Sequence, residues 1–342
     1  MHKTDDILLE WKDVSIGYRK NNVISSMLAE NLSMKVRTGE IIGLIGRNGC
    51  GKSTLLRTMV RLQSSLKGKI MIGGKDINSI SRTEYAKTVG FVSTESISIH
   101  HMTVAELVSL GRFPYTNWIG VFTALDREIV DNAINLAGIS HIQDKYLYEL
   151  SDGERQKTMI ARVLAQDTKV MVLDEPTAFL DLPNRYEMLR LLNELAHQNG
   201  KTIIYSTHDL SIALYESDRL WLMAAGKITE GAPEDLIITK GFHKLFENSD
   251  IDFNMDTAGF QLKREFTGMM AVTGEASLNY WTSRALERIG IRTGREGSVK
   301  ESIVTDFQNG TPVWFLYLYD KTYSFYSVYD LISFLKNYKK LT

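Results

Sequence analysis

The sequence GRNGCGKST at residues 46–54 follows an apolar run at 41–45 (IIGLI) and precedes apolar residues at helical spacing. Strand, glycine-rich loop and helix, in that order, form the context in which GxxxxGK[ST] binds phosphate. Its glycines let successive backbone N–H groups point at phosphate oxygens, and the helix N-terminus adds a partial positive charge. The stretch therefore predicts that the chain binds a nucleoside triphosphate.

Each residue of this loop is a candidate nucleotide ligand. The predicted set is Gly46, Arg47, Asn48, Gly49, Cys50, Gly51, Lys52, Ser53 and Thr54. We expect Lys52 to reach the β- and γ-phosphates and to act in catalysis, and the Ser53 hydroxyl to ligate Mg²⁺. The thiol of Cys50 lies near a helix N-terminus, a position that favours a lowered pKa and sensitivity of nucleotide binding to thiol reagents.

Length and composition bound the class of protein. The 342 residues suffice for about two domains. With 40 basic and 41 acidic residues, the chain shows no charge excess typical of nucleic-acid binding. A single cysteine excludes an internal disulfide framework and fits a reducing cytosol. Because no apolar run approaches the roughly 20 residues of a membrane helix, we expect any action at a membrane to need a partner.

Hydrophobic patterning predicts an α/β domain at residues 7–247 with a helical insertion at about 96–166. Strands are predicted at 7–18, 41–45, 68–74, 88–92, 170–173 and 202–206. Helices are predicted at 103–112, 126–138 and 151–166. A strand that is apolar on both faces, such as 170–173, suits a parallel sheet buried by helices.

Polar residues follow two of the predicted strands. Asp174 and Glu175 come directly after 170–173, and His208 follows 202–206. Because ligands of open α/β sheets bind at the carboxyl ends of the strands, we expect all three to face the nucleotide. Asp174 is the predicted Walker B carboxylate for Mg²⁺, and Glu175 the general base for the attacking water. His208 would orient the γ-phosphate and that water.

Residues 250–342 predict a separate small α+β module whose role the sequence leaves open. A helix is predicted at 275–289, and Asn309-Gly310 between apolar runs is typical of a β-hairpin. Its aromatic side chains either fill the core of a small sheet, which we expect, or form a stacking surface for a ligand. They are Trp314, Phe315, Tyr317, Tyr319, Tyr323, Phe325, Tyr326 and Tyr329.

Residues 150–156 read LSDGERQ, a helix start with Ser151 as N-cap and Glu154 completing a capping box. Together with the loop at 46–54, the run at 170–176 and His208, this stretch resembles the signature, usually written LSGGQ, of the ATP-binding cassette (ABC) family. The resemblance covers about residues 7–247. It implies an ATPase fold in which a P-loop sheet domain carries a helical subdomain.

The resemblance also implies a partner and further site residues. Two cassettes would pair head to tail, with Ser151 and Gly153 of one contacting the γ-phosphate held by the other. Asp152 and Glu154 stand where the family has glycine and glutamine. We expect the second carboxylate to weaken ATP-driven closure slightly, unless Arg155 compensates for its charge. Asp181, in a stretch similar to the D-loop, and Tyr18, similar to the aromatic residue that stacks on adenine, are further candidate ligands.

One position departs from the family. The glutamine that usually follows the strand at 88–92 and touches Mg²⁺ is replaced by Thr94, followed by Glu95. The threonine side chain is shorter than that of glutamine, so we expect Thr94 to reach the metal only through water. We therefore expect a low basal ATPase activity, with the Glu95 carboxylate taking part of the role.

Two stretches are similar to the importers of ferric siderophores, haem and cobalamin: residues 103–115 (TVAELVSLGRFPY) and 176–183 (PTAFLDLP). The resemblance implies a polytopic permease as direct partner, a substrate-binding protein as indirect partner and a peripheral location on the cytoplasmic face of the inner membrane. The alternative is a soluble ABC ATPase that acts on a macromolecule. A P-loop kinase is disfavoured because it would not need residues 150–156.

Overall fold

The computed structural model describes residues 7–21, 23–93, 101–116, 121–246, 250–254, 259–294 and 301–338. The chain divides into two compact units, an N-terminal unit of residues 1–249 with 253–259 and a C-terminal unit of 250–252 with 260–342. Each unit has its own buried hydrophobic core.

The described residues of the two units form strands, α-helices and short 3₁₀ helices. The strands are β1 (Ile7–Lys20), β2 (Val23–Arg37), β3 (Ile41–Gly46), β4 (Lys67–Ile72), β5 (Lys75–Asp76), β6 (Val89–Val92), β7 (Val170–Leu173), β8 (Thr202–Thr207), β9 (Arg219–Ala224), β10 (Lys227–Gly231), β11 (Ile251–Asn254), β12 (Gly259–Leu262), β13 (Gly268–Gly274), β14 (Ile291–Gly294), β15 (Ser302–Gln308), β16 (Thr311–Leu318) and β17 (Lys321–Phe325). The α-helices are α1 (Lys52–Met59), α2 (Arg82–Ala86), α3 (Val104–Ser109), α4 (Ala124–Leu136), α5 (Asp152–Ala165), α6 (Leu182–His197), α7 (Leu210–Glu216), α8 (Pro233–Ile238), α9 (Ala276–Glu287) and α10 (Val328–Tyr338). Short 3₁₀ helices lie at Ile77–Ser79, Leu110–Tyr115, Ser140–Ile142, Leu147–Glu149 and Gly241–Leu245.

A mainly parallel sheet positions the site. Among the described residues its strand order is β10-β9-β3-β8-β7-β6, and only the β10–β9 pair is antiparallel. β3, β7 and β8 are buried along their whole length. Since such strands run in one direction, the carboxyl ends of β3, β7 and β8 meet at one edge of the sheet.

A second, antiparallel sheet covers one side of this core. It has the order β2-β1-β4-β5 within the described part of the chain. The predicted strand at 7–18 is β1, whereas β2 is a strand that the pattern reading omits. Most of the first half of β2 is exposed, which explains why its sequence lacks a clear apolar alternation.

The helical insertion follows β6, as predicted. α3, α4 and α5 pack together around a shared apolar core, and Thr103 and Thr123 cap the first two of these helices with capping boxes. The predicted helix at 103–112 is shorter than expected, because the α-helix gives way at Leu110 to a 3₁₀ helix that contains Pro114.

The C-terminal unit is a mixed sheet with two helices. In the described residues its strand order is β14-β13-β15-β16-β17, with β13 parallel to β14 and β15 and the remaining pairs antiparallel. Asn309 and Gly310, both at positive φ, join β15 to β16, so the predicted hairpin is confirmed.

The aromatic residues of this unit divide between core and surface. Trp314 is buried and donates from Nε1 to Thr282 Oγ1 at 2.7 Å, and Tyr323 and Phe325 pack against the same core. The expectation that these residues fill the core is wrong for a second group, whose side chains are exposed because they lie on the outer face of the sheet, in turns or in the first turn of α10. These are Tyr317, Tyr319, Tyr326 and Tyr329.

Candidate nucleotide site

The phosphate-binding loop connects β3 to α1. Gly49 and Gly51 have φ of 77° and 111°, which side-chain-bearing residues rarely adopt. A Cβ added at Gly46 would lie 2.7 Å from the Met223 carbonyl oxygen, so that position also requires glycine. Lys52 Nζ donates to the Gly46 carbonyl at 2.8 Å and folds its side chain along the loop. The loop thus has the backbone geometry that the sequence predicts.

Tyr18 lies against the start of α1. Its hydroxyl group and Thr54 Oγ1 are 3.0 Å apart and hydrogen-bonded. Half of the tyrosine side chain is exposed, which leaves ring surface for stacking. The structure therefore places Tyr18 beside the loop.

Asp174 and Glu175 follow β7, next to β8. Ser206 of β8 donates from Oγ to Asp174 Oδ1 at 2.7 Å and accepts from the Glu175 backbone N–H at 2.8 Å. Glu175 itself has φ of 48°, an uncommon backbone conformation for this residue type. Ser206 fixes both acidic residues, a role that sequence reading missed because the residue lies inside an apolar strand.

The predicted base and histidine are neighbours. His208 Nδ1 lies 3.5 Å from Glu175 Oε2, and the imidazole is largely exposed. The Glu175 side chain is partly buried, with 28% of its surface exposed. The structure brings these two residues to the sheet edge where β3 ends.

An ion pair between Arg185 of α6 and Asp209 links the segment after β7 to the segment after β8. Arg185 Nη1 donates to Asp209 Oδ2 at 2.9 Å, and Arg185 Nη2 donates to the Leu180 carbonyl at 3.2 Å. Asp209 also caps α7 by accepting from Ile212 N. The bond from a guanidinium to a charged carboxylate is stronger than a neutral one, so the pair links the two loops. Sequence reading did not single out Arg185 or Asp209.

The signature residues begin α5. Ser151 Oγ accepts from the Glu154 N–H at 3.3 Å, and Glu154 Oε2 accepts from the Ser151 N–H at 2.9 Å, so the predicted capping box is present. The hydrogen bond from the Ser151 N–H holds the pKa of Glu154 below its usual value, with a smaller contribution from Lys145. A Cβ on Gly153 would lie 3.2 Å from Asn184 Oδ1 of α6, and Asp152 is exposed.

Asp181 caps the next helix. Its Oδ1 accepts from the Asn184 N–H at 3.1 Å at the start of α6. The capping bond uses one of the acceptor sites of the carboxylate, so the Asp181 side chain can accept further hydrogen bonds. Thr94 and Glu95 lie outside the described residues.

The expectation for Cys50 is wrong in its direction. Burial raises the pKa of the Cys50 thiol, and the nearby Lys52 ammonium only partly offsets that effect. Desolvation of the thiolate therefore outweighs the helix N-terminus at this position. At neutral pH the thiol is protonated and a poor nucleophile.

The residues present fit a magnesium ion. The Asp174 carboxylate is almost fully buried, and its partner among the described residues is the neutral hydroxyl group of Ser206. A buried carboxylate without a cation is costly, which favours a bound metal ion near its free oxygen. One carboxylate and one hydroxyl, Ser53, suit Mg²⁺, which in such sites takes further ligands from phosphate and water. No cluster of three His, Cys, Asp or Glu side chains offers another metal site among the described residues.

The loop and the acidic strand end define a P-loop nucleotide-binding unit, and comparison with known proteins gives its family. A family model described as ABC transporter matches residues 29–178, and one described as Iron ABC transporter C-terminal domain matches residues 267–336. The chain belongs to the family of ABC transporter ATP-binding proteins. It is accordingly an ATPase that binds ATP.

The similar proteins extend across most of the N-terminal unit. Achromobactin transport ATP-binding protein CbrD of Dickeya dadantii is 38% identical over 66% of this chain and 82% of its own length. Ferric enterobactin transport ATP-binding protein FepC of Escherichia coli is 36% identical over 70% of this chain and 86% of its own. The structure of cbiO1 from Clostridium perfringens, 29% identical, superposes with a TM-score of 0.61 over 70% of this chain and 93% of its own. The dimeric structure of the bacterial ABC transporter cassette MJ0796, 25% identical, superposes with a TM-score of 0.58 over 66% of this chain and 99% of its own.

Proposed function

We propose that the chain is the ATP-hydrolysing subunit of an importer that takes up a ferric siderophore through a membrane permease. The observation that carries the proposal is the second family match, because a C-terminal domain of the iron transporter type follows a cassette whose relatives are named for siderophore transport. In the described residues, no helix is long and apolar enough to cross a membrane. We place the chain at the cytoplasmic face of the membrane, bound to its permease, because its relatives are named as the ATP-binding proteins of transport systems.

The proposed chemistry uses the residues at the carboxyl ends of β3, β7 and β8. Lys52 and the loop N–H groups bind the phosphates, and Asp174 with Ser53 would hold Mg²⁺. When bound, Mg²⁺ neutralises charge on the phosphate oxygens. Glu175 accepts a proton from water as the water oxygen attacks the γ-phosphorus, and the bond to the bridging oxygen of ADP breaks. His208, 3.5 Å from Glu175, would orient the base and the water.

The proposed active unit contains two copies of the chain, arranged head to tail. In one chain the hydrogen bonds of Ser151 stay within α5, and Gly153 faces α6. The exposed N-terminus of α5 is thus available to an anion held elsewhere, as a helix N-terminus favours. The signature of one copy, with Asp181 nearby, would complete the site of the other. Tyr18 would stack on the adenine ring.

The permease is proposed to contact a groove on the N-terminal unit. A cavity of about 550 Å³ lies between the end of α1, α2 and the 3₁₀ helix at Leu110–Tyr115. Its apolar side chains Leu62, Leu110 and Phe113 are exposed, Phe113 to 77%. A contiguous exposed apolar surface beside a groove is typical of a protein interaction site. A short amphipathic segment of the permease would fit it.

The test is capture of the tagged chain from detergent-solubilised native membranes, followed by mass spectrometry. We expect a polytopic permease with wild type, and much less of it with Phe113→Glu, while soluble ATP binding is retained. The matched control is Tyr319→Glu, an equally exposed aromatic residue in the C-terminal unit. A soluble macromolecule as sole partner would replace the importer by the alternative ABC function. Loss of radiolabelled ferric siderophore uptake in a strain carrying Glu175→Gln tests the substrate class.

A further inference from the structure

The C-terminal unit contains a cavity that the ATPase chemistry does not use. It measures about 590 Å³ and lies between the segment from β12 to Phe266 and one face of α9. Every residue that lines it belongs to the C-terminal unit. A volume of roughly 300–1,000 Å³ is usual for a small-molecule site.

Cationic side chains dominate the wall of this cavity. Lys263, Arg264, Arg284 and Arg288 line it, together with one carboxylate, that of Glu287. The Glu287 carboxylate is already shared with Arg284, whose Nη1 lies 3.4 Å from Oε2. The cavity therefore has an excess of positive charge, which attracts anions.

Two of these cations have no counter-ion among the residues that the structure describes. Within the described part of the chain, the guanidinium groups of Arg264 and Arg288 form no ion pair. Both also border an adjoining cavity of about 510 Å³, whose second carboxylate, Glu265, does not line the first cavity. An arginine fork without a carboxylate partner is the group best suited to bind a carboxylate or phosphate in two hydrogen bonds.

An aromatic side chain stands on the same helix face as the cations. Trp281, Arg284 and Arg288 follow the spacing i, i+3, i+7 along α9 and its C-cap, which places them on one side of the helix. Trp281 is 67% exposed, so much of its ring surface is open to a ligand. Phe260 and Phe266 contribute apolar surface from the opposite wall.

We propose that this cavity binds a small aromatic anion, with its planar ring against Trp281 and its carboxylate, phenolate or phosphate group held by Arg264 and Arg288. The cavity offers an aromatic surface for the ring and cationic side chains for the anionic group. It is too small for a folded domain or a nucleic-acid duplex. Two sources share this chemistry, an aryl acid and a nucleotide. The site is independent of ATP hydrolysis and would exist whatever the chain transports.

The test is a titration of the full-length protein carrying Lys52→Ala, which removes nucleotide binding at the phosphate-binding loop. Salicylate, AMP and inorganic phosphate are the probes, followed by calorimetry and by tryptophan fluorescence. We expect salicylate or AMP to bind saturably and to quench the fluorescence of Trp281, and phosphate to bind at least tenfold more weakly because it lacks a ring. Salicylate binding would indicate an aryl acid, and AMP binding a nucleotide.

Variants distinguish binding in this cavity from a general attraction of anions to positive charge on the protein. Arg288→Glu is expected to weaken binding by roughly tenfold or more, because it removes a charge-assisted contact and adds a repulsive one. Lys321→Glu, an equal charge change at an exposed position of β17, should leave binding unchanged. Trp281→Ala should weaken binding and abolish quenching, and circular dichroism would show that each variant is folded. The proposal is overturned if neither ring-bearing probe binds with a Kd below about 1 mM, if phosphate binds equally well, or if Arg288→Glu has no effect.

Discussion

Ser206 Oγ lies 2.7 Å from Asp174 Oδ1 and donates a hydrogen bond to it from inside a buried strand. The same hydroxyl oxygen accepts from the backbone N–H of Glu175, so a single side chain fixes both the proposed metal ligand and the proposed base. The bond occupies one lone-pair site of Asp174 Oδ1, and Oδ2 accepts no hydrogen bond from the described residues. Ser206 thus positions the Asp174 carboxylate directly and Glu175 through its backbone.

Ser206→Ala is expected to lower kcat about tenfold and to raise the Mg²⁺ concentration needed for half-maximal activity, since a lost hydrogen bond to a charged group costs on the order of 1.5–3 kcal/mol. Steady-state ATPase assays at varied Mg²⁺ measure both effects. The control is Ser217→Ala, which removes a hydrogen bond of similar length to Tyr205 in the same sheet region. Equal losses in the two variants would show that Ser206 acts only on stability.

Glu175→Gln should abolish hydrolysis by at least about a hundredfold while leaving ATP binding intact, because an amide cannot accept the proton. Size-exclusion chromatography with ATP should then show a dimer. Lys52→Ala should instead lose ATP binding. Hydrolysis by Glu175→Gln at the wild-type rate would reject this residue as the base.

Asp152→Asn is expected to strengthen ATP-driven dimerisation a few-fold, because it removes a carboxylate from the end of α5 that would face the partner's phosphates. Dimer formation is best measured in the Glu175→Gln background by analytical ultracentrifugation. Asp144→Asn, another exposed aspartate of the helical insertion, provides the same charge change away from the signature. The effect should fade with added salt.

Arg185→Lys should lower ATPase activity several-fold without loss of ATP binding, since lysine can keep one of the contacts to Asp209 and Leu180 but not both. ATPase activity should be measured at several protein concentrations and expressed per folded protein, so that a change in the coupling of the loops is separated from a loss of folding. A variant with normal kcat would show that the link between these loops is structural only.

The helical insertion should lose stability at acid pH. Hydrogen bonds from Thr123, with a further one from the buried Arg112, lower the pKa of Asp126 from 3.8 to about 2. A folded-state pKa below the unfolded value means that the stabilisation is present above about pH 4 and is lost as pH falls toward 2. Asp126→Asn should reduce the unfolding midpoint at pH 7 and flatten its acid dependence. Asp131→Asn, exposed on the same helix, should do neither.

Sequence reading succeeded where local chemistry decides the structure. The loop at 46–54, the capping box of Ser151 and Glu154, and the turn at Asn309-Gly310 each need particular residue types at fixed spacing, and all three are present. Strand β2 was missed because tertiary pairing with β1, rather than its own apolar pattern, makes it a strand.

Contacts between distant segments were not accessible in the same way. Ser206 and Arg185 act on residues 32 and 24 positions away, and only the strand order brings them together. The pKa of Cys50 likewise depends on how deeply the loop packs, which the motif does not state. Tyrosine favours strands on either face of a sheet, so composition alone does not show which tyrosines of the C-terminal unit are exposed.

The low reactivity expected of the Cys50 thiol has a practical consequence for labelling experiments. Cys50 is the sole cysteine of the chain, and its burial disfavours the reactive thiolate. A cysteine introduced at an exposed position would react first with a maleimide dye, so labels for distance measurements or crosslinks across a cassette pair can be attached to the native background. The phosphate-binding loop then keeps its natural residue while the dimer is observed.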